Sequence, residues 1–161
     1  MNMSIEDRLS ALETRLRAAE DQLEILRLLN TYGPAVDSGA SRPAAALWIE
    51  GGTYNIGGVG AVTGHDDIAA IYDSKGHQDL IHQGSSHLTA TPRVTVNGDQ
   101  AEAVAYSFVV LKRNGEWYIW RASANHWKLV RTSQGWRIAE RYNRVLDGSE
   151  ASHETLRRAL G

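Results

Sequence analysis

The sequence predicts an α+β fold in which a curved antiparallel sheet wraps around helices supplied by the amino-terminal half. Three observations predict it. Helical periodicity fills the first part of the chain, and from His87 the pattern changes to long strand-like segments broken by turns of the Asn-Gly type. The length is the third: 161 residues can bury roughly two thirds of the surface of the unfolded chain, so one domain over 1–161 with one core is expected.

From Ile5 the apolar positions Ile5, Leu9, Leu12, Leu16, Ala19, Leu23 and Leu26 alternate steps of four and three, which draws a single seam along a helix at heptad spacing. Ser4 stands as its cap and Asp7 as the acidic residue of a capping box. Such a seam lies either on the helix's own domain or against another subunit. The second reading makes residues 1–17 a helical extension and the protein a homo-oligomer, dimer or trimer. Pro34 lacks an N–H and crowds the preceding turn, which predicts that the helix ends or kinks at Gly33-Pro34, with Asp37-Ser38-Gly39 as its terminus.

Ser41 and Pro43 open a short helix that carries Ala44 to Trp48 and closes at Gly51-Gly52. Thr53 to Ile56 is a short strand, and Gly57-Gly58-Val59-Gly60 is a turn without the lysine or helix opening of a phosphate loop. His65-Asp66-Asp67 caps a helix through about Ser74, and the polar stretch Lys75 to Ser86 reads as a mobile connection. Four strands follow: Leu88 to Val96, Ala101 to Lys112, Glu116 to Arg131 and Trp136 to Leu146. Asn-Gly between alternating segments is a strong hairpin signal because both residues tolerate positive φ, so these strands form a meander. Residues 148–161 form a tail, either a short helix or disordered.

Composition narrows the function. Lys and Arg total 17 against 19 Asp and Glu, so a net charge of −2 supplies no field to attract nucleic acid or an anionic membrane. The absence of cysteine excludes thiolate catalysis and Cys-ligated metals. The charged amino terminus has no apolar leader core, and no apolar run approaches the ~20 residues needed to span a bilayer, so a cytoplasmic protein is expected.

Four places carry a family resemblance: Tyr32 with Val36-Asp37-Ser38-Gly39; Thr53-Tyr54; His87-Leu88-Thr89-Ala90-Thr91-Pro92; and Ser123-Ala124-Asn125-His126-Trp127 followed by Gly135-Trp136-Arg137-Ile138. Over about residues 18 to 147 the chain resembles the SnoaL-like group of the nuclear transport factor 2-like superfamily, which includes polyketide cyclases, scytalone dehydratase, bile-acid dehydratase and hexachlorocyclohexane dehydrochlorinase. The resemblance implies a cone-shaped α+β barrel with a central cavity. It also implies an acid–base pair of Asp37 and His87, a tyrosine at Tyr54 that polarises a substrate oxygen, an asparagine at Asn125, and a site tyrosine at Tyr32.

The chemistry is consistent with those residue types. Removing a carbon-bound proton calls for a base that titrates near neutrality, and imidazole at about 6.5 is the natural side chain. A carboxylate on the other ring nitrogen fixes the tautomer and stabilises the imidazolium as it forms, the role that falls to Asp37 beside His87. Asn125 and His126 are neighbours on a strand, so they point to opposite faces and pattern alone does not say which meets the cavity. His82 could assist or replace His87, and Arg144, near the end of the last strand, could hold an anionic substrate. Five tryptophans suit an apolar pocket for a ring-shaped ligand. No histidine pair at helical spacing marks a metal site, and no cofactor motif is present. The expectation is a cofactor-independent lyase of dehydratase type acting on a small apolar or ring-shaped compound. An isomerase or cyclase using the same parts, and a non-catalytic ligand binder or small subunit of an oxygenase, are the alternatives.

Overall fold

Helix α1 (Ile5–Asp37) runs unbroken through Pro34 in the computed structural model, which describes residues 3–57 and 59–161. Its first turn closes as the capping box predicts, with the Ser4 hydroxyl accepting from the Asp7 amide and the Asp7 carboxylate accepting from the Ser4 amide. The expected break at Gly33-Pro34 does not occur. Ile25, Leu29, Tyr32 and Val36 are buried on both sides of the proline, and the Ser38 amide donates to the Pro34 carbonyl at 3.1 Å, so packing and a closed last turn override the local preference. The helix ends at Ser38, and Gly39 takes φ +75°, as the sequence indicates.

Short helix α2 (Ser41–Ala45) leads into β1 (Trp48–Ile56), which pairs with β2 (Gly60–Thr63). Helices α3 (His65–Asp73) and α4 (Lys75–Gln83) follow. The polar connection expected over 75–86 is therefore mostly helical. Ser74 caps the His77 amide, and His77, Leu80 and Ile81 share a face at helical spacing. The strand expected from Leu88 to Val96 is split into β3 (Ser85–Thr89) and β4 (Arg93–Asn97), because Pro92 between them cannot donate to a ladder. Strands β5 (Gln100–Arg113), β6 (Glu116–Thr132) and β7 (Gly135–Val145) form the predicted meander, and the tail carries helix α5 (Glu150–Arg157).

The strands make one curved seven-stranded sheet in the order β2-β1-β7-β6-β5-β3, with β4 also on β5. All pairings are antiparallel except β1 on β7. The concave face closes over α1, with Ile25, Leu29, Val36, Trp48, Leu129, Trp136 and Ile138 in the core. Asp21 fastens the middle of α1 to the β6–β7 hairpin: Arg131 donates to both its oxygens at 2.7 Å, and the Trp136 indole donates at 3.1 Å. The Arg131 hydrogen bond, partly opposed by burial, holds the Asp21 carboxyl below its ordinary range.

Bulges set which side chains reach the concave face. Lys128 pairs with Glu140 and Leu129 with Ile138, so Ala139 is an extra residue on β7. Trp136 and Ile138 face inward before it; beyond it the alternation is reversed, and Arg141 and Asn143 face inward instead of Tyr142 and Arg144.

Candidate active site

A cavity of about 240 Å³ lies between α1, α3, α4 and the concave face of the sheet. Tyr32, Tyr54, Tyr72, His77, His87 and Arg141 supply its chemistry. Leu80, Leu88, Val59 and Trp120 line it with apolar surface, and the last three of these are largely exposed, which marks that side as the mouth.

Asp37 and His87 meet here. The Asp37 carboxylate accepts from the His87 ring Nδ1 at 2.7 Å, from the His87 backbone amide at 2.7 Å and from the Ser85 hydroxyl at 2.9 Å. Burial alone would raise the carboxyl, but the hydrogen bonds from His87 and Ser85 outweigh it and hold Asp37 below its ordinary value. An ionised carboxylate can only accept, so Nδ1 carries the proton and Nε2 of the neutral ring carries the lone pair. The approach depends on Gly33: a Cβ at that position would lie 2.2 Å from the His87 carbonyl oxygen. With no side chain there, α1 rests on the β3 backbone and delivers Asp37 one turn later.

Tyr32 also lies on α1 and packs edge-on against the His87 ring, with centroids 6.4 Å apart. The hydroxyls of Tyr72 and Tyr32 are 3.5 Å apart. Burial pushes the phenols of Tyr54 and Tyr72 well above their ordinary value, so both are neutral donors over the working range of pH.

Arg141 is the feature that residue pattern did not find. Only 3 % exposed, it lies against the rings of Tyr32, Tyr54 and Trp127, with its guanidinium carbon 4.2, 4.6 and 5.4 Å from the centroids. Its Nε donates to the Asn125 side-chain oxygen at 3.0 Å. Among the described residues it forms no salt bridge with a carboxylate. Burial opposes its charge, while the oxygens of Tyr54, Tyr32 and Tyr72 favour it, and the balance leaves the group more basic than an ordinary arginine.

Asn125 is fully buried behind the cavity wall rather than on it. Its oxygen accepts from Arg141 and from Asn143 at 3.0 Å each, and its amide donates to Ser107 at 2.6 Å. It meets the cavity only through the side chains it holds, Ser107, Arg141 and Asn143. The other face of β6 carries His126, whose Nε2 donates to the Glu102 carboxylate at 2.8 Å and whose ring stacks on Tyr142 away from the cavity. Burial, opposed by Glu102, lowers its pKa. Two further candidates also stand elsewhere. Arg144 faces outward because of the Ala139 bulge and donates to Asn55 at 2.7 Å. His82 is on the exposed side of α4, its Nδ1 2.6 Å from the Gln78 carbonyl. The histidine of α4 that does reach the cavity is His77, whose Nε2 donates to the Val36 carbonyl at 3.0 Å and whose ring centroid is 5.5 Å from that of His87. Among the described residues no group of three His, Asp or Glu side chains converges as a metal site would require.

Residues 17–142 match the family model of the SnoaL-like domain. The chain belongs to the SnoaL-like family. Among solved structures it is similar to an NTF2-like protein with a cystatin-like fold from Novosphingobium aromaticivorans, at 40 % identity over 92 % of this chain and 96 % of that one, with a TM-score of 0.90. A candidate scytalone dehydratase from the same organism shares the fold at 18 % identity, 83 % and 87 % coverage and a TM-score of 0.66. So does a protein from Catenulispora acidiphila solved in complex with S-DNPA, at 16 % identity, 80 % and 96 % coverage and a TM-score of 0.65. Among curated proteins none matches the chain. The SnoaL-like fold accounts for a sheet curved around a ligand-sized hollow; the chemistry within it is read from the residues.

Proposed function

We propose that this SnoaL-like protein is a small-molecule lyase of dehydratase type, in which His87 is the base. The observation that carries the reading is the Asp37–His87 pair at 2.7 Å with Nε2 left as the lone-pair nitrogen in a cavity lined largely by aromatic and aliphatic side chains. Nε2 removes a proton from a carbon beside a carbonyl group. The electron pair moves onto the carbonyl oxygen to give an enolate, and Asp37 stabilises the imidazolium. Collapse of the enolate forms the carbon–carbon double bond and expels a β-hydroxyl, which takes a proton from the imidazolium or a phenol and leaves as water. Arg141 and the hydroxyls of Tyr54 and Tyr32 supply the positive field for the enolate oxygen, and Asn125 holds Arg141 in place. Proton transfer and loss of water need no redox partner, so the reading includes no cofactor. A cavity of about 240 Å³ suits a compound of one or two rings. The S-DNPA complex of the Catenulispora protein supports small-molecule occupancy of this fold.

A second reading has one observation in its favour. His77 lies beside His87 in the same cavity, so a proton taken by one imidazole could return to a different carbon through the other, which is isomerisation.

A panel of cyclic β-hydroxy ketones and their unsaturated isomers incubated with the protein in D₂O and followed by proton NMR tests both. Loss of water with wild-type protein, reduced about 10²–10⁴-fold in His87→Gln, supports the lyase. Migration of the double bond supports the isomerase. Binding to the cavity with neither reaction nor exchange of the acidic proton in any compound points to the binder.

A further inference from the structure

The amino-terminal half of α1 stands clear of its own domain. Ile5, Leu9, Leu12, Leu16 and Leu23 are between 53 and 73 % exposed, whereas the side chains that bind the helix to the core, Asp21, Ile25, Leu29, Tyr32 and Val36, lie on the opposite side. At 100° per residue the two sets are centred about 170° apart, so the helix has two separate faces and the domain covers one of them. The uncovered face is narrow. Counting Leu9, Leu16 and Leu23 as heptad a positions places Ile5, Leu12, Ala19 and Leu26 at d, and nothing apolar flanks them from Glu6 to Gln22.

The flanks identify the partner. The e positions are Glu6, Glu13 and Glu20, and the g positions are Arg8, Arg15 and Gln22. All are exposed, and none of the charged ones is ion-paired within the chain among the described residues. In a parallel, in-register pair a g residue meets the e residue of the partner's next heptad, so Arg8 faces a second Glu13 and Arg15 a second Glu20, twice each by symmetry. In an antiparallel pair g meets g and e meets e, which sets Arg against Arg and Glu against Glu.

We propose that the protein dimerises through a parallel, in-register coiled coil formed by Ile5–Leu26 of α1 from two copies. An isolated helix of three heptads is marginal in water. Here its carboxy-terminal half is already held in the domain core, so the nucleus is formed before the copies meet. Opposite faces serve the domain and the seam, so pairing displaces nothing that holds the fold.

The chain has no cysteine, which makes cross-linking decisive. In the full-length protein, Leu9→Cys and Leu23→Cys, each alone, should give a disulfide-linked dimer on mild oxidation, since facing a positions of a parallel pair come within disulfide reach. If neither variant links to itself and an equimolar mixture links one variant only to the other, the pair is antiparallel and the proposal is overturned. Light scattering should report a dimeric mass for the wild type and a monomer for Leu12→Asp/Leu16→Asp, with an unchanged thermal transition of the domain. Glu13→Arg/Glu20→Arg and Arg8→Glu/Arg15→Glu should each weaken dimerisation roughly tenfold or more, and mixing the two should restore it as a heterodimer. A wild-type monomer, a trimer, or a dimer indifferent to the aspartate variant overturns it.

Discussion

Gly33 rests against the carbonyl oxygen of His87 so closely that the helix and the strand leave no room for a methyl group between them. This one approach positions the site, because Asp37 follows Gly33 by one turn and reaches the ring and the amide of the same histidine. The neighbour is backbone, which cannot rotate away as a side chain could.

Gly33→Ala is therefore expected to push α1 off β3 and separate Asp37 from His87. The helix would gain propensity from alanine, about 1 kcal/mol, but overpacking against a fixed carbonyl costs about 1–3 kcal/mol and more where nothing yields. Net destabilisation in urea or thermal unfolding, together with loss of turnover, is the expected outcome; an alanine variant as stable and active as the parent would show that the contact does not position the pair.

Arg141→Met separates stability from function. The guanidinium is buried against aromatic rings with no carboxylate partner among the described residues, and an apolar side chain of similar volume in such a place is often neutral or stabilising. The melting temperature should hold or rise while turnover falls about 10²–10³-fold, the usual cost of losing one donor to a developing oxyanion. Loss of folding with no specific loss of turnover would make Arg141 a structural residue.

Acid stability should report Asp37. Its folded-state pKa is lower than the 3.8 of the free side chain, so its contribution is complete above about pH 4 and is lost as the pH falls through the lowered value. Asp21 is depressed in the same sense and adds to the same limb. Urea midpoints for the wild type should fall below about pH 4, and Asp37→Asn, already weaker at neutral pH, should lose less on acidification. Parallel acid limbs for the two proteins would mean that the Asp37 carboxylate is not held as described.

Much of the fold was readable in the residues, because hairpin turns, caps and periodicity are local signals. Asp37, His87, Tyr32 and Tyr54 were readable as candidates through the family resemblance; the structure puts His87, Tyr32 and Tyr54 on the wall of one cavity and hydrogen-bonds Asp37 to the His87 ring. What escaped depended on packing. The bulge at Ala139 reverses the alternation of β7, so counting from Trp136 and Ile138 assigns Arg144 to the interior when Arg141 holds that place. Polar composition hid the one inward face of α4, and with it His77. Pro34 implied a break that buried side chains on both sides of it override. In β6, alternation put Asn125 and His126 on opposite faces correctly; only the sheet's curvature decides which face is inside.

The central claim is that His87 offers Nε2 as its basic nitrogen because Asp37 holds the proton on Nδ1. Long-range ¹H–¹⁵N correlation NMR of the histidine rings, with His87 assigned by its loss in His87→Gln, reads the tautomer directly and needs no substrate. The prediction is an Nδ1–H tautomer for the neutral ring in the wild type, lost or mixed in Asp37→Asn. A neutral ring protonated on Nε2 in the wild type would contradict the account, since the nitrogen assigned as the base would then have no lone pair to use.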